Sequence, residues 1–159
     1  GGHIVVDYRG RRCTCGNIGC VEAMASSFFL PEIIRTHPKI SSEYKAKASS
    51  YDFKTLFDLM RRGEPEATLL CKDCVDVWAA AIINYIHAYD PEIVVIGGGI
   101  MRSADIILPY LKERIDRLVW APENKVEITT SLLGDNAALL GISCTLSTIK
   151  KERCYEQIF

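Results

Sequence analysis

The chain has 159 residues, 48% of them hydrophobic and 25% charged, and its 19 basic and 20 acidic side chains leave a net charge of -1. Such a composition buries one sizeable core, so it points to one compact domain and excludes the disordered and collagen-like classes. The near balance of charge, with no strong basic cluster, argues against a nucleic-acid or polyanion footprint. The longest apolar runs, IVVIGGGI and VWAAAIINYI, are far short of a membrane span, and no charged-then-apolar signal segment opens the chain, so a cytoplasmic location is expected.

In chain order, HIVVDY reads as a short strand, RGRRCTCGNIG as a loop, and CVEAMASSFFLPEIIRTH as a helical stretch interrupted at Pro31. PKISSEYKAKASSYD is polar and turn-like. In DFKTLFDLMRR the apolar Phe53, Leu56, Phe57 and Met60 share one helical face, with Asp52 as the N-cap and Gly63 as the stop. Glu64-Pro65 then opens a long helix to about Tyr89. Its stripe of Leu70, Cys74, Val77, Trp78, Ala81, Ile82, Tyr85, Ile86 and Tyr89 is wide enough to be buried.

Asp90-Pro91 ends that helix, and EIVVIGGG follows as a continuous apolar strand, the pattern of a strand covered on both faces. SADIILPYLKERIDRLV is an amphipathic helix, KVEITTS a further strand, and GDNAALLGISCTLSTIKKERCYEQIF a closing helix started by Gly134-Asp135. The order of strand, helices, strand, helix, strand, helix predicts an α/β domain with a partly parallel sheet. Its binding crevice belongs at the carboxyl ends of the strands.

The seven cysteines are an odd number in a chain with an ample apolar core, which favours metal binding or free thiols over a disulfide scaffold. Cys13, Cys15 and Cys20 cluster in a turn where Gly16 and Gly19 permit a tight wrap, and His3 lies ten residues before the first of them. Zinc takes four soft or borderline donors in a tetrahedron, and this set supplies four. From spacing alone, zinc ligation, buried free thiols and a disulfide all stay open. Cys71-Lys72-Asp73-Cys74 matches C-x-x-C as well, but it falls well inside a helix, away from the N-terminus that activates a redox thiol, so core packing is the expectation. Cys144 and Cys154 read as packing or surface thiols.

VVIGGG raises a nucleotide site, since a strand entering a glycine run lets backbone approach a ligand and the next helix offers N–H groups to a phosphate. The dinucleotide fingerprint is incomplete, because Arg102 stands where its third glycine would be, and no P-loop occurs in the chain. A tight strand-to-helix turn explains these residues equally well.

The GH pair followed by CTCGNIGCVEAMAS resembles the C-x-C-G-x-x-G-C-x-E signature of the ROK family of bacterial sugar kinases and sugar-responsive repressors. DPEIVVIGGGI and LLGDNAALLGI are similar to that family's later motifs, in matching order, so the resemblance spans essentially the whole chain. It implies a two-lobed, actin-like (ribonuclease H-like) fold with sugar and ATP in the cleft, and residues 1–159 correspond to the carboxyl-terminal lobe alone. Within that lobe it implies a zinc loop over residues 3–22 and a nucleotide-side strand and glycine turn over 92–100. The amino-terminal lobe, with its Asp-x-Gly-x-Thr phosphate loop and catalytic base, is expected outside this chain, as is a glutamate just ahead of Gly1. A start without methionine agrees with a chain cut from something longer.

By the same resemblance His3, Cys13, Cys15 and Cys20 are the zinc ligands. His3 also binds a sugar hydroxyl through its second ring nitrogen, and Glu22 accepts from another hydroxyl. Glu22 has a plainer reading too, as an acid favoured at a helix N-terminus. Gly97, Gly98 and Gly99 match the glycines lining the nucleotide side, Gly134 and Asp135 could face the same cleft, and no catalytic residue falls in this chain. The expectation is a structural zinc, ATP with Mg as co-substrate, and a glucokinase-like activity on a hexose or N-acetylhexosamine. A homodimer is expected, with no membrane and no nucleic acid for this lobe. The alternative is the sugar-sensing domain of a repressor whose DNA-binding part precedes residue 1.

Overall fold

The computed structural model describes residues 1–120 and 125–156, without the side chains of Asp135 and of residues 147–156. The cap at Asp135 expected from sequence and the thiol of Cys154 therefore lie outside the described side chains. The helices are α1 (Val21–Ala25), α2 (Leu30–Thr36), α3 (Ser42–Ala46), α4 (Phe53–Arg61), α5 (Pro65–Tyr89), α6 (Ala104–Leu118) and α7 (Ala137–Glu156). The strands are β1 (Ile93–Ile96) and β2 (Glu127–Thr130), and short 3-10 turns lie at Ala48–Ser50, Gly99–Ser103 and Gly134–Asn136.

The 25 residues of α5 form the spine, against which α1, α4 and α6 pack. Its start is set by Pro65, whose ring fixes φ at the first helical position, and by the Glu64 carboxylate, which accepts the Ala67 N–H at 2.6 Å. Its end is set by Asp90, which turns left-handed (φ 45°) ahead of Pro91. Because neighbours surround α5 on several sides, its buried positions wrap further round than a single stripe: Val75, Ala79 and Ile83 are buried, while Tyr89 is exposed.

The helix α4 matches expectation, with the Asp52 carboxylate accepting the Thr55 N–H at 2.7 Å and Gly63 at φ 78° past its end. Hydrogen bonds from the Thr55 side chain and then its N–H hold the Asp52 carboxyl below its usual range, so the cap's contribution is present above the ordinary carboxylate pKa and is lost as the pH falls. Arg61 then grips Asp105 at the start of α6 with two bonds, 2.8 and 3.2 Å. Arg114 pairs with Asp76 at 2.6 Å between α6 and α5, and the Trp78 indole N–H donates to the Ala25 carbonyl at 2.9 Å between α5 and α1.

Three local expectations change. Pro31 does not break a helix; it sits in the first turn of α2, where a missing N–H costs nothing, and the break falls at residues 26–29. The polar stretch 38–52 contains α3 and a 3-10 turn, held by the Ser41 cap on the Tyr44 N–H and by burial of Tyr44, whose ring stacks on Tyr51 at 4.5 Å. HIVVDY makes only an isolated antiparallel bridge, Val5 to Cys20, rather than a strand of the sheet.

Among the described residues the sheet has two strands, β1 and β2, parallel and in register from Ile93–Glu127 to Ile96–Thr130. It is not covered on both faces. Ile128 is buried, yet Ile93 and Val95 are 47% and 56% exposed, alternating with half-buried Val94 and Ile96. On α7, Leu139, Leu140, Ile142 and Leu146 are exposed as well. Burial predicts two different costs. Leu56→Ala, at 0% exposure, should lower the unfolding free energy by about 2–5 kcal/mol, whereas Val95→Ala should change it by no more than about 0.5 kcal/mol. Denaturant titration of the two variants checks this, and equal losses would place the core elsewhere.

Candidate functional site

The first functional cluster is built by backbone closure. Residues 1–7 run back along 18–22: the Val6 N–H donates to the Gly19 carbonyl at 2.9 Å, Val21 N–H to Ile4 at 3.0 Å and Glu22 N–H to Gly2 at 2.8 Å. Between them the chain folds into a tight loop through the Arg12–Ile18 bridge, with the Cys13 N–H on the Asn17 carbonyl at 2.8 Å. Gly19 cannot be replaced here, because its φ is 71° and a Cβ would stand 1.5 Å from the Asp7 carbonyl oxygen.

This closure gathers the four predicted donors. Cys13 Sγ lies 3.7 Å from His3 Nδ1, Cys15 Sγ lies 3.7 Å from Cys20 Sγ, and the four ligand atoms are all within 4.8 Å of one another. An ideal tetrahedron with Zn–S of about 2.3 Å has S···S edges of about 3.8 Å, so the Cys13–His3 and Cys15–Cys20 spacings already match ligands around one ion. The sulfurs are free thiols, which removes the disulfide alternative. The Cys13 thiol is lowered to about 7, first by the backbone N–H of Cys15, with His3 and the other thiols assisting. Burial and the neighbouring thiols push Cys20 up to about 11. One negative charge is thus favoured and a further one opposed, which is the imbalance a divalent cation corrects.

Glu22 sits in the first turn of α1, immediately beside this cluster. A Cβ on Gly2 would approach its Oε2 to 2.9 Å, so the carboxylate lies directly over the backbone that carries His3. Its place in the first turn of α1 fits the plainer reading of Glu22 as an acid at a helix start.

The glycine run occupies a second place, at the carboxyl ends of β1 and β2. Gly97 and Gly98 line a crevice of about 220 Å³ with Ile96, Met101, Arg102, Thr130, Ser131 and Gly134. Gly98 needs its φ of 100°, and Cβ atoms on Gly97, Gly98 and Gly99 would meet nothing within 4 Å, so the space above them is open to a ligand. Gly99 starts the 3-10 turn leading to α6 and borders a neighbouring cavity of about 280 Å³ between that turn and α4. None of the four metal donors lines either cavity.

Sequence reasoning missed Arg102, Thr130 and Ser131 as crevice residues. Thr130 ends β2 and Ser131 follows it, at the carboxyl end where an α/β crevice opens, so that rule could have found them. Cys71 and Cys74 are core residues, 0% and 1% exposed, and burial pushes the Cys71 thiol up to about 12 and Cys74 higher still, which makes them inert. Cys144 is exposed on α7.

The chain was compared with known proteins. It is 35% identical to a glucokinase of Thermotoga maritima over 158 residues, covering 96% of this chain and 49% of that one. It is 28% identical to the xylose repressor of Bacillus subtilis over 143 residues, covering 89% of this chain and 35% of that one. The crystal structure of a ROK family glucokinase from Streptomyces griseus in complex with glucose and AMPPNP aligns with a TM-score of 0.71 at 24% identity, over 88% of this chain and 48% of that one. That likeness shows the actin-like sugar-kinase fold, and the chain spans half or less of the length of these relatives. The ROK family profile matches residues 1–148, from the donor loop through both strands into α7, and the chain belongs to the ROK family.

Proposed function

We propose that this chain is the carboxyl-terminal lobe of an ATP-dependent, glucokinase-like sugar kinase that acts on a hexose or N-acetylhexosamine in the cytoplasm, as a homodimer. One observation carries the reading: the His3, Cys13, Cys15, Cys20 donor set is closed around one point with the Glu22 carboxylate packed against the same backbone. The match to the Thermotoga glucokinase along nearly the whole chain supports it. Reading it as one lobe is supported by the half-length match and by the apolar side chains left exposed on β1 and α7.

In this reading zinc is structural: held by four protein donors it has no open position, and it supplies rigidity rather than Lewis acidity. His3 uses Nδ1 toward the cluster, which leaves Nε2 to a sugar hydroxyl, and Glu22 accepts from a second hydroxyl. Together they fix the angle at which the sugar meets the phosphoryl group, and positioning is most of the catalysis in such a transfer. Gly97, Gly98 and Gly99 admit the nucleotide, with Mg, to the crevice at the strand ends. The base that takes the hydroxyl proton belongs to the other lobe, outside this chain.

The match to the xylose repressor supports a second reading, a sugar-sensing domain without chemistry. A panel of hexoses and N-acetylhexosamines, assayed with the complete polypeptide that contains this chain, separates the two. The kinase reading predicts phosphorylation of one or a few sugars and none by residues 1–159 alone. Glu22→Gln should weaken sugar binding by about 1.5–3 kcal/mol, roughly tenfold to a hundredfold in KM. A catalytically silent protein that binds DNA in a sugar-dependent way would establish the repressor instead.

The metal assignment makes a separate prediction, because exposure and ligation rank the cysteines in opposite orders. Cys15 is exposed and Cys74 is buried, so packing alone makes Cys74 the more sensitive. With zinc bound, Cys15→Ser should lose the metal and destabilise the amino-terminal third more than Cys74→Ser, which only disturbs helix packing. Zinc content and hydrogen exchange over residues 3–22 measure this, and unchanged exchange in Cys15→Ser would mean that the cluster is not a metal site.

A further inference from the structure

Arg11 belongs to neither the donor set nor the sugar-facing pair, yet it joins both to the helical body. Its backbone helps close the loop, with its carbonyl accepting the Gly19 N–H at 2.8 Å and its own N–H directed at Met24 Sδ at 3.4 Å. Its guanidinium reaches three acceptors on two helices. Nη1 donates to the Ala23 carbonyl in α1 at 2.9 Å, Nη2 to Thr36 Oγ1 at 2.7 Å and Nε to Glu32 Oε1 at 3.1 Å, both on α2. Thr36 is itself held, since its hydroxyl donates to the Glu32 carbonyl at 2.8 Å. The Arg11 side chain is only 19% exposed, and its bond to the Ala23 carbonyl is partly buried, while its acceptors on α2 stand at the surface.

The placement has a geometric consequence. Cys13 follows Arg11 by two residues, Cys20 follows the Gly19 that Arg11 binds, and Ala23 follows Glu22. A tilt of the loop against α1 would therefore displace the cysteine donors relative to Glu22, and only a planar fork with several N–H groups can hold both sides at once. We propose that Arg11 is a positioning residue: its guanidinium sets the angle between the cysteine loop and α1, and with it the position of the cysteine donors relative to Glu22, while His3 is tied to Glu22 by the neighbouring backbone bonds of Gly2 and Ile4. This rests on the zinc and sugar reading of the site.

The test compares zinc release to a chromophoric chelator from the zinc-loaded chain and its variants, alongside sugar KM and kcat of the complete polypeptide. Arg11→Lys keeps the charge but loses the fork that anchors the cysteine loop, and should speed zinc release roughly tenfold, the low end of what outer-shell changes around a metal site give. It should raise KM with little change in kcat. Thr36→Val removes one acceptor far from the loop and should give a smaller acceleration, a second reading in case Arg11→Lys folds poorly. Arg35→Ala, which loses a bond from α2 to Ser49, is the control and should release zinc at the wild-type rate even where it lowers thermal stability equally. Wild-type release rates in both Arg11→Lys and Thr36→Val, or an equal acceleration in Arg35→Ala, would overturn the role of Arg11 while leaving the metal reading intact. A wild-type chain without zinc would overturn both.

Discussion

The constraint on which the site depends is the crowding of four electron-rich donor atoms within 4.8 Å. Three thiols at that distance oppose a second negative charge: burial first and then the neighbouring thiols hold Cys20 up, while hydrogen bonds led by the Cys15 N–H hold Cys13 down. The backbone holds them there regardless, through a loop closed by hydrogen bonds to Gly19 and by a glycine with no room for a Cβ. Everything else at this end follows from that closure: His3 is brought over the loop, Gly2 is pressed beneath Glu22, and α1 starts at Val21 directly after the last donor.

The helical body acts as the frame for two separate functional places. At one end α1 carries Glu22 against the donor loop and is tied to α5 through Trp78. At the other, the carboxyl ends of β1 and β2 open the glycine crevice, and α6 links the two strands while packing on α5. A spine of 25 residues lets the donor loop with Glu22 and the glycine turn keep a fixed relation without sharing side chains. The apolar residues exposed on β1 and α7 add little burial to this frame.

Much of this was legible in the sequence where local chemistry dictates structure. Asp52 as a cap, Glu64-Pro65 as a helix start, and Gly63 and Asp90-Pro91 as stops all rest on interactions within a few residues, while the donor set is marked by its own spacing motif. What escaped was set by distant partners. The bridge at Val5 looked like a strand because alternation does not report whether a partner strand exists. The burial of Tyr44 in a polar stretch depends on Tyr51 and on the packing of α3 against α2. The outer face of β1 read as buried because a continuous apolar run does not say which neighbour covers it. Arg11 is the clearest case, since its acceptors lie 12 to 25 residues away and no motif marks it.

The central claim is that the loop of residues 3–20 is a closed metal site, and zinc-edge X-ray absorption on protein purified without added metal tests it most directly. The account predicts one zinc per chain with a first shell of three sulfurs near ~2.3 Å and one nitrogen near ~2.0 Å. Clearly substoichiometric zinc together with three freely titrating thiols, or a first shell containing a water oxygen in place of His3, would contradict it.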